Sequence, residues 1–217
     1  MKKDRSAVAP KQTAEPDPIA RRRENPTAQR LLDAAREVLI RDGSAVFSMR
    51  NVAQEAQLRL ATVQYYFPTR DDLVRAMMRD AESRYRVAYE KCLAGVPAKP
   101  LERFKAILRF NLKDVADPVT RRWIIQMWAL LSTLDAQSGT LLDEFYDMDI
   151  SGLSTYIAQL CPDIPAAEIR RRAALLAAML EGLVVVRGGH SPNPAELKRL
   201  FALAEQLGVQ IARGEIG

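Results

Sequence analysis

Residues 25–73 hold three short helical segments separated by turn residues, and no other stretch restricts the fold as strongly. Asn25 followed by Pro26 is typical of a helix start, because asparagine caps the first turn and proline lacks an N–H that would need a partner there. Apolar residues then recur at three- and four-residue spacing until Gly43, which predicts an amphipathic helix. Ser48 is placed to cap a second, short helix.

The third segment, roughly Leu60 to Tyr66, carries side chains that a protein core does not favour. Val63 and Phe67 can pack inward, but the segment also bears polar or amphipathic side chains, which are Thr62, Gln64, Tyr65 and Tyr66. In a major groove, hydroxyl and amide groups find bases and phosphates to bond. We therefore predict a helix-turn-helix DNA-binding domain over residues 25–70. Ordinary packing of the tyrosines at the helix end is the alternative.

The run SMRNVAQEAQLRLATVQYYFPTRDDLV, residues 48–74, resembles the DNA-binding signature of the TetR family of one-component repressors. The resemblance implies an all-α protein with an N-terminal three-helix DNA-binding domain and a C-terminal helical domain for ligand binding and dimerisation. It implies that base edges are faced by Arg50, Leu60, Ala61, Thr62 and Gln64. It likewise places near the phosphates Tyr65, Tyr66 and Arg70.

The turn of this motif departs from the family pattern. Where a glycine, a small apolar residue and a capping serine are usual, the chain has Gln57, Leu58 and Arg59. A non-glycine residue in a left-handed turn costs roughly 1 kcal/mol, and a lost cap costs a similar amount, so we expect the fold to survive both. Gln64 replaces a commonly aromatic residue and can pair with adenine, which predicts a changed sequence preference.

Positive charge is concentrated at the N-terminal end of the chain. Residues 1–70 hold 13 Lys and Arg against 8 Asp and Glu, whereas residues 71–217 hold 19 of each. A polyanionic partner explains this asymmetry directly, and a solvated basic tail is the alternative. Residues 1–24 are rich in proline and charge, which predicts a disordered basic arm. We expect the DNA backbone or minor groove to be contacted by Arg21, Arg22 and Arg23.

After Pro68 the pattern is helical almost without interruption, which predicts one effector-binding and dimerisation domain over residues 71–217. Turn residues and apolar periodicity divide it into six helices, which we expect at 71–95, 100–117, 123–134, 141–160, 173–186 and 193–213. The first of these would connect the DNA-binding domain to the rest of the chain.

The segment from Ala173 to Val186 is the most apolar in the chain. It is too short to span a bilayer and contains Glu181, so we expect no membrane contact. A helix this apolar must bury two faces, and together with the last helix it predicts a two-fold four-helix bundle in a homodimer. A purely intramolecular core is the alternative. The interface is predicted to contain Leu176, Met179, Leu180, Leu183, Leu197, Leu200, Phe201 and Ala204.

Large apolar and aromatic side chains of the middle helices predict a ligand pocket, since such sites are mostly apolar with few polar groups. Its expected residues are Tyr85, Tyr89, Phe104, Phe110, Trp123, Met127 and Trp128. The same spacing is also typical of plain core. An aromatic set can hold a cation, and the runs RRWIIQMWALLS and AAMLEGLVVVRGG resemble, weakly, the betaine-regulator branch of the family, which implies a choline-like effector.

The residue inventory does not favour an enzyme. His190 is the one histidine, and Cys92 and Cys161 lie far apart, so zinc sites and serine-histidine catalysis lack parts and we expect no cofactor or metal. Four carboxylates are predicted to be solvated charge, namely Asp143, Glu144, Asp147 and Asp149, and one of them facing a ligand is the alternative. The cysteine usage and the absence of a signal-peptide pattern favour a cytoplasmic protein.

The resemblance implies a repressor that binds a palindromic double-stranded DNA operator as a homodimer and is released by a small-molecule effector. Effector and operator would then bind antagonistically, with a coupling of about 1–3 kcal/mol. A second hypothesis follows from the altered turn at Gln57: the chain would be a helical ligand-binding or interaction module whose DNA-binding domain has degenerated.

Overall fold

The structure, a computed structural model, describes residues 25–138, 140–186 and 193–215, with the backbone alone for 135–138. Within these ranges the chain forms α-helices, one short 3-10 turn at Ser44–Val46 and no β-strand, which confirms the predicted all-α fold. The helices are α1 Pro26–Asp42, α2 Met49–Glu55, α3 Leu60–Tyr66, α4 Arg70–Leu93, α5 Pro100–Ala116, α6 Pro118–Ser138, α7 Leu141–Leu160, α8 Ala166–Val186 and α9 Pro194–Arg213.

Side-chain caps begin the helices that the sequence marked most clearly. The Asn25 side chain accepts a hydrogen bond from the Thr27 N–H at 2.9 Å, and Ser48 Oγ accepts one from the Asn51 N–H at 3.2 Å. At the start of α4, Thr69 and Asp72 form a reciprocal capping box. Each cap satisfies an N–H that the first turn of a helix would otherwise leave unbonded.

Two helices begin earlier than predicted. The α6 helix starts at Pro118 instead of Trp123, because Pro118 fits the first helical position and the Asp117 carboxylate accepts a hydrogen bond from the Thr120 N–H at 2.7 Å. The α8 helix starts at Ala166 instead of Ala173, and its polar first turns were missed. The prediction followed apolar residues, which mark where a helix is buried and not where it begins.

The buried side chains form two clusters. The first joins α1, α2, α3 and the N-terminal half of α4 to α6 and the start of α7, and it includes Leu31, Phe67 and Met127. The second lies among α5, α7, α8 and α9 and includes Phe104 and Leu176. The three N-terminal helices therefore share a core with α6, so a displacement of α6 would change their packing directly.

Gly208 allows α9 to lie close to its neighbours. A Cβ atom at this position would lie 2.6 Å from Leu108 Cδ2 of α5 and 3.3 Å from Leu176 Cδ1 of α8. A larger residue here would force the Leu108 side chain to move, so glycine is favoured by packing and not by an unusual backbone angle. None of the helices that the described residues form is both long enough and apolar enough to cross a bilayer.

Candidate DNA-binding surface and effector cavity

The turn between α2 and α3 carries the strain that its residues predict. Gln57 has a φ of 53°, the left-handed region that glycine adopts more readily, and Arg59 at the start of α3 makes no side-chain cap. The turn is held instead by backbone hydrogen bonds, including one of 2.9 Å from the Leu58 N–H to the Ala53 carbonyl. The helix-turn-helix motif thus forms despite its departures from the family pattern.

One side of α3 is anchored in the core, which leaves another side open to solvent. Val63 and Phe67 are fully buried. Of the residues predicted to contact DNA, those that are exposed are Arg50, Ala61, Gln64 and Tyr65. Those that are half-buried are Leu60, Thr62, Tyr66 and Arg70. Anchoring by two buried side chains fixes the orientation of α3, so the exposed groups are presented by a rigid element.

Two predicted phosphate-contacting residues also take part in packing. Tyr65, 55% exposed, meets Tyr66 edge to face with ring centroids 5.2 Å apart. The Arg70 guanidinium lies 5.8 Å from the centroid of the Phe47 ring, and its Nε is buried without a hydrogen-bond partner among the described residues. Arg70 therefore supports the end of the motif as well as carrying charge. The predicted arm residues Arg21, Arg22 and Arg23 lie outside the described residues.

A cavity of about 380 Å³ lies among α4, α5, α6, α7 and α8. Its aromatic lining consists of Tyr85, Tyr89, Trp123, Phe145 and Tyr156. Its polar side chains include Asn111, Asp114, Asp149 and Glu181. A volume of this size, with an apolar wall and a few polar groups, is typical of a small-molecule site.

The structure brings together part of the predicted pocket. Tyr85, Tyr89 and Trp123 line the cavity, and Phe110 packs edge to face behind both tyrosines with ring centroids 6.2 Å and 5.3 Å away. The other three predicted residues do not line it: Phe104 and Met127 are buried in the two cores, and Trp128 is half-buried elsewhere on α6. Helical spacing identifies apolar faces but does not distinguish a filled core from a cavity.

The acidic side chains of the cavity were missed. Asp143, Glu144 and Asp147 are exposed, as predicted, but Asp149 lines the cavity, so its assignment as solvated charge is wrong. Glu181 of α8 lines the same cavity. A visible signal did exist, because Glu181 interrupts the most apolar run of the chain and a charge there requires a cavity or a partner.

Burial and mutual repulsion shift the titration of these groups. Burial raises the pKa of Asp149 to about 6, and burial together with the nearby Asp149 raises the pKa of Glu181 to about 7. Burial also raises the pKa of Asp114, partly offset by a hydrogen bond with the Tyr85 hydroxyl. The pKa of Tyr89 is raised by burial too, so its ring stays neutral at physiological pH.

The α6 helix connects the cavity to the DNA-binding helices. The Arg36 guanidinium of α1 lies 4.6 Å from the centroid of the Trp123 ring, which forms part of the cavity wall. One turn later, Gln126 Oε1 accepts a hydrogen bond of 2.7 Å from the Ser44 N–H. Arg122 donates to the carbonyls of Ile40 and Arg41, at the end of α1. A small movement of Trp123 would therefore reposition the C-terminal end of α1.

The apolar face that the chain leaves open on α8 and α9 differs from the predicted interface. Three predicted interface residues are buried within this chain: Leu176 and Ala204 lie in the second core, and Leu180 lines the cavity. The remaining predicted residues are half-buried, namely Met179, Leu183, Leu197, Leu200 and Phe201. The large apolar side chains exposed on these two helices are Leu175, Val185, Val186, Leu203 and Leu207.

The difference concerns which face of each helix points outward. Both faces of α8 are apolar, so the sequence pattern did not show which one packs against α5 and α9 of the same chain. The structure gives the inner face to Leu176 and Leu180 and the outer face to Leu175 and Val185. On α9 the outer face carries Leu203, which is 66% exposed.

Comparisons with known proteins agree with the helix-turn-helix motif. The family model for bacterial regulatory proteins of the tetR family matches residues 31–77. The HTH-type transcriptional regulator BetI of Paraburkholderia phymatum is 29% identical over 177 residues, which cover 80% of this chain and 87% of that protein. BetI of Burkholderia cenocepacia is 28% identical over 184 residues, covering 80% and 88%.

Solved structures share the fold. Salmonella enterica GusR matches with a TM-score of 0.64 at 18% identity, over 87% of this chain and 96% of that one. The multidrug binding protein EbrR, solved in complex with ethidium, matches with a TM-score of 0.60 at 24% identity, over 85% and 98%. The resemblance found in residues 48–74 is thereby confirmed: residues 31–77 match the TetR family of bacterial regulatory proteins, and the chain is similar over most of its length to helix-turn-helix transcriptional regulators, which supports a DNA-binding transcriptional regulator.

Proposed function

We propose that this regulator is a repressor that binds a palindromic operator as a homodimer and is released when a small molecule occupies the cavity. The observation that carries the proposal is the position of α6, which provides Trp123 to the cavity wall and holds the end of α1 through Arg122 and Gln126. Two functions of the same chain thus meet on one helix.

The DNA-binding role is assigned to α3 and the first turn of α2, within a domain spanning residues 25–70. Exposed Arg50 and Gln64 would face base edges in the major groove, beside the smaller Ala61 and Thr62. The Tyr65 hydroxyl would bond a phosphate and fix the register of the domain on the duplex. The basic residues before α1 would follow the backbone or enter the minor groove.

The homodimer is assigned to the outer faces of α8 and α9, within a domain spanning residues 71–217. Exposed leucines and valines on two adjacent helices are a surface that a monomer rarely leaves in water. A second copy is the occupant that fits, because two such helices related by a two-fold axis close into a four-helix bundle. The same axis relates the two α3 helices, as a palindromic operator requires.

Release by effector follows from the shared helix. A ligand in the cavity that displaces Trp123 would shift α6 and, through it, α1, so the two α3 helices would no longer match successive major grooves. Effector and operator would then favour different conformations of the dimer, and each would weaken binding of the other by the same factor.

The test is a binding titration with double-stranded DNA from the region upstream of the protein's own gene, at several salt concentrations. We expect a specific complex whose affinity falls by about 10³-fold or more between 50 and 200 mM salt, since each neutralised phosphate releases counterions. An upstream fragment bound no better than unrelated DNA would contradict the proposal. That result, with an intact dimer, would favour the alternative of a ligand-binding module with a degenerate DNA-binding domain, to which strained Gln57 and uncapped Arg59 point.

A further inference from the structure

Acidic side chains outnumber basic ones around the cavity. The acidic residues of its lining are Glu82, Asp114, Asp149 and Glu181, against a single arginine, Arg86. Glu82 and Arg86 are both exposed on α4, so solvent screens their charges. Asp114 shares a hydrogen bond with Tyr85. The negative charge that remains to be explained is that of Asp149 and Glu181.

Asp149 of α7 and Glu181 of α8 face the cavity without a counter-charge. Their carboxyl groups lie near enough to repel each other, and in the described part of the chain neither accepts a hydrogen bond or forms an ion pair. Placing two unpaired carboxylates in an apolar wall is costly. A site that retains this cost is suited to a ligand that supplies the missing positive charge.

Aromatic rings complete the same wall. Tyr89 lines the cavity and packs edge to face against Tyr156, with ring centroids 5.9 Å apart, and Phe145 lines it from α7. Aromatic faces attract organic cations, most strongly where water is excluded. The Trp123 ring already has the Arg36 guanidinium over it, so the tyrosines and Phe145 are the rings that remain for a ligand.

We propose that the cavity receives an organic monocation with an apolar body, whose positive charge lies between Asp149 and Glu181 and displaces a proton that the two carboxyl groups otherwise hold. The proposal rests on the proposed function, because it assigns the chemical class of the effector to the same cavity. The ligand would enter as a cation, the proton would leave to solvent, and the charge of the site would be conserved.

The pH dependence depends on every charged or titratable group around the pair. These are Glu82, Tyr85, Arg86 and Tyr89 on α4, Asp114 on α5, Tyr146 and Tyr156 on α7, and Arg121 on α6, which donates to the Val184 carbonyl at 3.1 Å. The tyrosines have raised pKa values and stay neutral between pH 5 and 8. The change of charge in that range therefore belongs to the carboxyl groups.

Cation affinity should rise as pH increases from about 5.5 to 8, because the pair attracts a cation more strongly when both carboxyl groups are ionised, and at higher pH no proton has to be displaced first. Isothermal titration calorimetry without DNA measures both the cation affinity and the number of protons released on binding. The probes are phenyltrimethylammonium and ethidium, each paired with a neutral molecule of closely similar shape, tert-butylbenzene and dihydroethidium. Repeating the titration at pH 7 in buffers of different ionisation enthalpy gives the number of protons released.

At least one cation is expected to bind about tenfold or more tightly than its neutral counterpart and to release up to about one proton. Glu181→Gln and Asp149→Asn should each reduce its affinity about tenfold and diminish the proton release, whereas Asp143→Asn, on the exposed face of α7, should leave both unchanged. Binding of neither cation, equal affinity for the neutral molecules, or full affinity in both cavity variants would overturn the proposal.

The same variants provide a readout independent of ligand. A carboxyl group whose pKa is raised on folding stabilises the protein least above that pKa, so removing the Glu181 charge should raise Tm by about 2–4 °C at pH 8 and by less at pH 5. An equal change at both pH values would show that Glu181 is not buried in its charged form and would contradict the proposal. The calorimetry contains no DNA, so it tests the cation site separately from the switch. If a cation binds in the calorimeter but does not release the operator in a separate DNA-binding assay, release by effector is contradicted and the cation site is not.

Discussion

Replacing Leu203 with glutamate is expected to convert the protein into a monomer and to lower operator affinity by about 10²–10⁴-fold, the usual gain from joining two binding sites. Leu203 is 66% exposed in the single chain and lies on the outer face of α9. In an isologous dimer each substitution occurs twice, and a carboxylate buried there without a partner costs several kcal/mol. Sedimentation equilibrium measures the oligomeric state, and fluorescence anisotropy measures operator binding.

Val87→Glu is the matched control. Val87 is also an exposed apolar residue, 43% accessible, but it lies on α4, which packs mainly against α1, α5 and α7. We expect this variant to remain dimeric. A dimeric Leu203→Glu protein, or equal dissociation of both variants, would show that the outer face of α9 is not the interface.

Replacing Gln64 with alanine is expected to cost about 1–3 kcal/mol per half-site on the operator and nothing on unrelated DNA. Gln64 is exposed on α3, between buried Val63 and the exposed ring of Tyr65. Its amide can bond N6 and N7 of one adenine, so the loss should appear as relaxed specificity at one base pair with an unchanged salt slope. The measurement is a titration against operators substituted singly at each position.

Gln159→Ala, an exposed glutamine near the end of α7, serves as the control and should bind every operator as the wild type does. If Gln64→Ala instead weakened operator and unrelated DNA equally, the side chain would be contacting phosphate. If it changed neither, α3 would not be the helix that reads bases.

Local capping chemistry made the DNA-binding helices predictable from sequence. Ser48 and the boundaries of α3 at Leu60 and Tyr66 match the prediction, because caps and turns are decided by a few neighbouring residues. The cost of the altered turn was also foreseen, and Gln57 does adopt a positive φ. The long helices were recognised from their apolar periodicity, which does not reveal the polar first turns of α6 and α8.

Properties that arise only between helices were not predictable in the same way. The sequence pattern of a cavity wall is the same as that of a filled core, because both consist of apolar side chains at helical spacing. Phe104 and Met127 were therefore predicted to line the pocket, although both are buried in the cores. The outward-facing residues of α8 could not be identified for a related reason, since Leu175 and Leu176 are equally apolar and only packing decides which is buried. The position of Asp149 in the cavity could not be predicted without knowing that α8 packs opposite α7 and places Glu181 in the same wall.

The most direct test of the dimeric DNA-binding role is a hydroxyl-radical footprint of the wild-type protein on its operator. Two α3 helices related by a two-fold axis should protect two tracts on one face of the duplex, centred about one helical turn, or a small whole number of turns, apart. The Leu203→Glu protein should protect neither tract at the same concentration. A single protected tract, or two tracts on opposite faces of the duplex, would contradict the proposed arrangement.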